Sequence, residues 1–131
     1  MIYGIGHDVL EIQRVVKIAA GSSGTRFIRR ILTGQELVLA RSRGGKAAEF
    51  IAGRFSAKEA VVKALGCGIG KTVGFQDIEI LPDAQGKPVV SLSAEAWGRL
   101  LLTEHEYTIH LTITHSRELA SAFVVVEQLK K

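Results

Sequence analysis

The run from Lys46 to Leu65 constrains this chain most, because it reads as one long helix closed by Gly66. Glycine takes the left-handed conformation that follows a last helical turn at no steric cost. At about 100° per residue, Phe50, Ile51, Phe55, Val61, Val62 and Leu65 form one apolar stripe. Gly53, Ala57, Ala60 and Ala64 form a neighbouring face of small residues suited to close packing. Arg54 and Lys58 project by angle into the apolar stripe. Either their stems snorkel outward, or the stripe borders a cleft or subunit interface where an anion partners buried cations. Glu59 and Lys63, at i and i+4, share a face beside them; that spacing alone suits an ordinary surface pair as well as a site.

The remaining elements order themselves around that helix. Residues 2–10 predict an opening strand that closes at a Gly-x-Gly-x-Asp turn, Gly4 to Asp8. Ile12, Val15, Val16 and Ala19 follow helical spacing until Gly21–Gly24 breaks it, and Thr25 can cap a second short helix bearing Phe27, Ile28 and Ile31. Thr33 with Glu36 three residues on has the form of a capping box for a third, ending near Ala40. A glycine-rich loop, Gly66 to Lys71, leads to an expected strand at 75–81, a turn at 83–88 and a returning strand at 89–92. Ser93 caps a short helix, and two strands follow at 107–114 and 120–129. Helices early and strands late predict one α+β domain over residues 1–131, with a largely antiparallel sheet packed by one long and several short helices. A length of 131 residues, with 47% hydrophobic and 23% charged residues, suits a packed globular domain.

Composition also narrows function. The net charge of +4 favours anionic partners. One cysteine, Cys67, leaves no disulfide framework and no Cys-based zinc site. The opening residues lack the basic and apolar regions of a signal peptide, and the apolar runs are too short to span a bilayer, so a soluble cytoplasmic protein with no membrane partner is expected. Aromatic content of 6%, without a stacking platform or helix-turn-helix, argues against nucleic acid. Asp8 and Glu59 could supply the one or two carboxylates that Mg2+ uses beside substrate phosphate, if the fold joins them; by position alone Asp8 equally suits a turn. The Gly66–Thr72 segment is one glycine short of a P-loop, with Leu65 in the first glycine position, and it follows a helix rather than a strand. It reads as a connector or as a flexible basic loop bordering a nucleotide. His115, at the end of a strand, suits a structural role or a site. The basic set Arg14, Lys17, Arg26, Arg29 and Arg30 makes a solvated face or a surface for an acidic protein.

Taken in order, Gly4-Ile5-Gly6-His7-Asp8-Val9-Leu10-Glu11-Ile12-Gln13-Arg14 and Phe55-Ser56-Ala57-Lys58-Glu59-Ala60-Val61-Val62-Lys63-Ala64-Leu65-Gly66 resemble the paired signature of the 4′-phosphopantetheinyl transferases. Gly68-Ile69-Gly70, Phe75-Gln76-Asp77-Ile78 and Ile113-Thr114-His115-Ser116 extend the likeness over nearly the whole chain. The resemblance implies that family's fold and an Mg2+-dependent enzyme of fatty acid biosynthesis. Its reaction moves the phosphopantetheine arm of coenzyme A to a serine of apo acyl carrier protein, releasing adenosine 3′,5′-bisphosphate. It implies Asp8 and Glu59 as magnesium ligands and Lys63 on the phosphate, these three forming the catalytic set. Arg54, Lys58, Lys63, Gly68, Gly70 and His115 would line the coenzyme A site. Arg14, Lys17, Arg26 and Arg29 would dock the carrier. A homotrimer with sites at subunit interfaces is implied too, while the proton acceptor stays open between Glu59 and a water. The competing classes are a noncatalytic module for acidic proteins, which would not need Asp8, Glu59 and Lys63 together, and a small RNA-binding protein.

Overall fold

The computed structural model describes residues 1–129. Its long helix α4 (Ala47–Leu65) is preceded by a 3-10 turn at Gly44–Lys46, and Gly66 closes it with φ 80° in the left-handed region. A three-stranded antiparallel sheet covers one side of α4. Its order is β1 (Ile2–Glu11), β5 (Leu119–Gln128), β4 (Tyr107–His115), with β5 central. Alternation places Ala120, Ala122, Val124 and Val126 of β5 against the helix, all buried. A two-stranded antiparallel ribbon, β2 (Ile78–Pro82) and β3 (Pro88–Leu92), covers the helix elsewhere through Ile78, Ile80 and Leu92. The short helices α1 (Ile12–Ala20), α2 (Gly24–Ile31) and α3 (Gly34–Ser42) close a second core around Val15, Ile31, Leu32 and Phe50, while α5 (Ala94–Leu100) brings Trp97 to the first.

Several expected devices are present. Thr33 Oγ1 accepts from the Glu36 N–H at 3.3 Å while Glu36 Oε1 accepts from the Thr33 N–H at 2.8 Å, completing the capping box. Ser93 Oγ caps α5 by accepting from the Ala96 N–H at 3.1 Å. Three expectations need correction. Gly4 to Asp8 makes no turn; both glycines lie inside β1, where a Cβ would overlap the carbonyl oxygens of Ala64 and Ala60. These glycines let the strand lie directly on the small-residue face of α4. Thr25 lies inside α2, whose first residue is Gly24 and whose preceding Ser23 makes no side-chain cap bond. Phe75–Asp77 is a 3-10 turn, and the strand starts only at Ile78.

Candidate active site

Strand alternation decides where Asp8 goes. Along β1, Tyr3, Ile5, His7 and Val9 face away from α4 and are exposed, while Gly4, Gly6, Asp8 and Leu10 face it. The absence of side chains at Gly4 and Gly6 brings the strand in close, and Ser56 Oγ of α4 pins the register by donating to the Asp8 carbonyl at 3.0 Å. Asp8 thereby meets the face of α4 that carries Glu59 and Lys63. Lys63 Nζ donates to Asp8 Oδ1 at 3.1 Å and to the His7 carbonyl at 3.0 Å. The lysine thus bridges helix to strand, where its spacing alone suited a pair with Glu59.

Glu59 is left without a salt bridge among the described residues. Burial raises its pKa above the ordinary glutamate value, the negative charge of Asp8 raises it further, and Lys63 offsets part of this. Glu59 also borders a cavity of about 250 Å³ lined by Phe27, Arg30, Ile31, Phe55, Ile69 and Phe75. The corner therefore holds two like-charged carboxylates and one ammonium. Glu59 has no direct ion-pair partner there, so a cation placed between the two carboxylates would be stabilised by both. Among the described residues no three His, Cys, Asp or Glu side chains converge as a metal cage, so the carboxylates here are the two of Asp8 and Glu59. That donor set fits Mg2+, which commonly takes one or two carboxylates and completes its shell with water and substrate phosphate.

Arg54 and His115 lie elsewhere. They line a groove of about 420 Å³ with Arg43, Lys46, Glu49, Phe50, Gly53, Pro82, Gly86, Pro88 and Ile113, none of which borders the Glu59 cavity. Arg54 is buried; its Nε donates to the Ile80 carbonyl at 3.1 Å, and its guanidinium lies 4.4 Å from the Phe50 ring centroid. Burial lowers its pKa, against an opposing pull from Glu36. His115 Nδ1 is 3.8 Å from Glu49 Oε2. The groove is cationic, with Arg43, Arg54 and Lys46 against one carboxylate, and suits an anion. Gly68, at φ 65°, and Gly70 flank Ile69, which borders the other cavity, so this loop belongs to the Glu59 side. Arg14 and Lys17 on α1, with Arg26 and Arg29 on α2, are all exposed.

Lys58 departs from its expected place beside coenzyme A. It has no solvent exposure, and its ammonium donates to Glu36 Oε1 at 2.7 Å, the Ile31 carbonyl at 2.7 Å and the Phe75 carbonyl at 3.0 Å. All three protons are used, so none remains for a phosphate. Glu36, equally buried, completes its own shell by accepting from the Ile80 N–H at 2.8 Å. The anion that the stripe position called for is an internal carboxylate. Sequence reasoning passed over Glu36 because the capping box already accounted for its side chain. Arg43, Lys46 and Glu49 carried no signal in the sequence beyond their charge.

Known proteins resemble this chain over nearly its whole length. A family model described as the 4′-phosphopantetheinyl transferase superfamily matches residues 4–124. A holo-[acyl-carrier-protein] synthase of Bacillus cytotoxicus is 50% identical over 128 residues, covering 97% of each chain. Among solved structures, the chain is similar to a holo-(acyl-carrier-protein) synthase from Bacillus anthracis crystallised with CoA (3′,5′-ADP). The TM-score is 0.81 and the identity 43%, over 98% of each chain. It is also similar to a holo-[acyl-carrier-protein] synthase from Neisseria meningitidis, with TM-score 0.86 and 37% identity over 98% of this chain and 100% of that one.

Proposed function

The chain belongs to the 4′-phosphopantetheinyl transferase superfamily, and from that premise we propose that it transfers the 4′-phosphopantetheine arm of coenzyme A to a serine of apo acyl carrier protein. The other product is adenosine 3′,5′-bisphosphate. The observation that carries the reading is the meeting of Asp8, Glu59 and Lys63 where β1 lies on α4. In the reaction the serine oxygen forms a bond to the pantetheine-side phosphorus, and the bond from that phosphorus to the bridging oxygen breaks. The serine proton must leave as the bond forms. Glu59 takes that proton either directly or through a water. Lys63 brings positive charge to the phosphoryl oxygens, and Asp8 fixes the direction of that ammonium through their 3.1 Å contact. Asp8 and Glu59 would hold Mg2+, which when bound supplies charge neutralisation for the pyrophosphate.

Coenzyme A binding is assigned to Arg54 and His115 in the cationic groove, and to Lys63, Gly68 and Gly70 near the carboxylates. One chain keeps these two sets apart. A homotrimer in which the groove of one subunit faces the carboxylate corner of the next would join them. In support, the sheet face turned away from α4 exposes Tyr3, Ile5, Val9, Leu119 and Phe123, an apolar surface of the kind that associates. Arg14, Lys17, Arg26 and Arg29 would steer and orient an acidic carrier. Residence in the cytoplasm and service to fatty acid synthesis belong to the same reading.

The test is a mass measurement. The protein is incubated with coenzyme A, Mg2+ and apo carrier protein, and the carrier is expected to gain one phosphopantetheine. Asp8→Ala and Glu59→Ala are expected to abolish the gain while circular dichroism stays that of the parent. No gain with several carriers would sink the proposal; salt-sensitive RNA binding without a metal requirement would favour the RNA-binding alternative.

A further inference from the structure

The C-terminal end of α2 is held by side chains from outside the helix. An α-helix leaves its last four carbonyls without intrahelical partners. In α2, Ile28 O accepts from the Leu32 N–H at 2.9 Å. Arg29 O accepts from Gln76 Nε2 at 2.8 Å, and Arg30 O from the same nitrogen at 3.3 Å. Ile31 O accepts from Lys58 Nζ at 2.7 Å, and Leu32 O, just beyond the helix, from Gln76 Nε2 at 2.8 Å. Lys58 also holds the Phe75 carbonyl, so one ammonium joins the helix end to the turn that presents Gln76. A buried cation against a helix C-terminus is also favoured by the helix dipole. The other end of α2 has no comparable anchor: Ser23 makes no side-chain cap bond, and the first turn carries no acid.

This helix serves two places at once. Phe27, Arg30 and Ile31 of α2 form one wall of the cavity that Glu59 borders, and Arg26 and Arg29 stand exposed on the same helix. Lys58 precedes Glu59 directly on α4, so the helix end and the carboxylate hang from adjacent residues. We infer that Lys58 and Gln76 are positioning residues for carrier recognition: they set α2, with its basic face and its cavity wall, at a fixed place beside Glu59. The inference rests on the proposed transfer reaction, in which that basic face docks the carrier. Neither residue touches a reacting atom.

Gln76 gives the cleaner test, because its side chain is exposed and truncation opens no core cavity. The parent, Gln76→Ala and Gln76→Lys are assayed for phosphopantetheine transfer with carrier and coenzyme A varied separately. The KM for carrier is expected to rise about fivefold to tenfold in Gln76→Ala, where the carbonyls of Arg29, Arg30 and Leu32 lose their side-chain donor. The KM for coenzyme A should stay within about twofold, since none of Arg54, His115, Lys63, Gly68 and Gly70 lies on α2 or bonds to Gln76. Gln76→Lys restores a donor at the helix end and is expected to recover most of the loss. A Gln76→Ala variant with the parent's carrier KM, or with both KM values raised together, overturns the inference. Failure of the parent itself to modify any carrier overturns the reading beneath it, and the inference with it.

Discussion

Three basic residues on one helix show how much the surroundings decide. Arg54, Lys58 and Lys63 lie within three turns of α4, yet one borders a groove, one is sealed in the core and one bridges to Asp8. Angle alone placed Arg54 and Lys58 in the apolar stripe correctly, because that follows from helical period. It could not choose between an internal and an external anion for each. Glu59 is the converse case, a carboxylate whose charged form is disfavoured where it stands. Its folded pKa is raised, so the folded chain binds more protons than the unfolded one, and stability falls as pH climbs from the unfolded value through the folded one. Glu59→Gln is therefore expected to melt above the parent at pH 7 in chelator-treated buffer. The difference should vanish below the ordinary glutamate pKa of about 4.3, by calorimetry across a pH series. The same variant is expected to lose transfer by at least about 100-fold, the usual scale for a general base.

Among the elements, α4 was legible nearly to the residue and the segment after it was not. An apolar stripe, a small-residue face and a closing glycine state the helix locally, and its end at Leu65 matches. Phe75–Asp77 alternates like a strand but folds as a 3-10 turn, because distant partners use its polar groups. Lys58 takes the Phe75 carbonyl, Gln76 reaches the end of α2, and Asp77 accepts from the Gly74 N–H, Ser93 and Arg99. Burial pushes the Asp77 carboxyl up, but these three donors together hold it below its ordinary pKa. Its stabilisation is thus fully present above the unfolded pKa and is lost as pH falls through the folded one. Asp77→Asn is expected to lower the melting temperature by about 2–4 °C at pH 7. That gap should close as pH drops below about 3.9, which thermal scans at pH 3, 5 and 7 would show.

At the scale of the whole molecule, two half-sites face different ways. The carboxylates sit where β1 crosses α4, and the cationic groove lies across the same helix toward β2, β3 and β4. If subunits share a site, two inactive proteins can repair each other. Mixing Glu59→Ala with His115→Ala under conditions that exchange subunits is expected to restore transfer, up to about a quarter of the parent's activity for random pairing at each interface. No recovery, with exchange verified by native mass spectrometry, would place each site within one chain. The sequence by itself determined the long helix and its closing glycine, the capping box at Thr33, the α+β order and the motif pair carrying the family likeness. All of these follow from local stereochemistry, periodicity or chain order. Only the tertiary structure decided that Asp8 meets Lys63, that Lys58 belongs to Glu36, and that Arg54 and His115 open on another surface. Those facts depend on which distant group reaches a charge first. The spacing that opened the question, Glu59 and Lys63 one turn apart, fixes only a shared helix face; the strand laid across it supplies the partner.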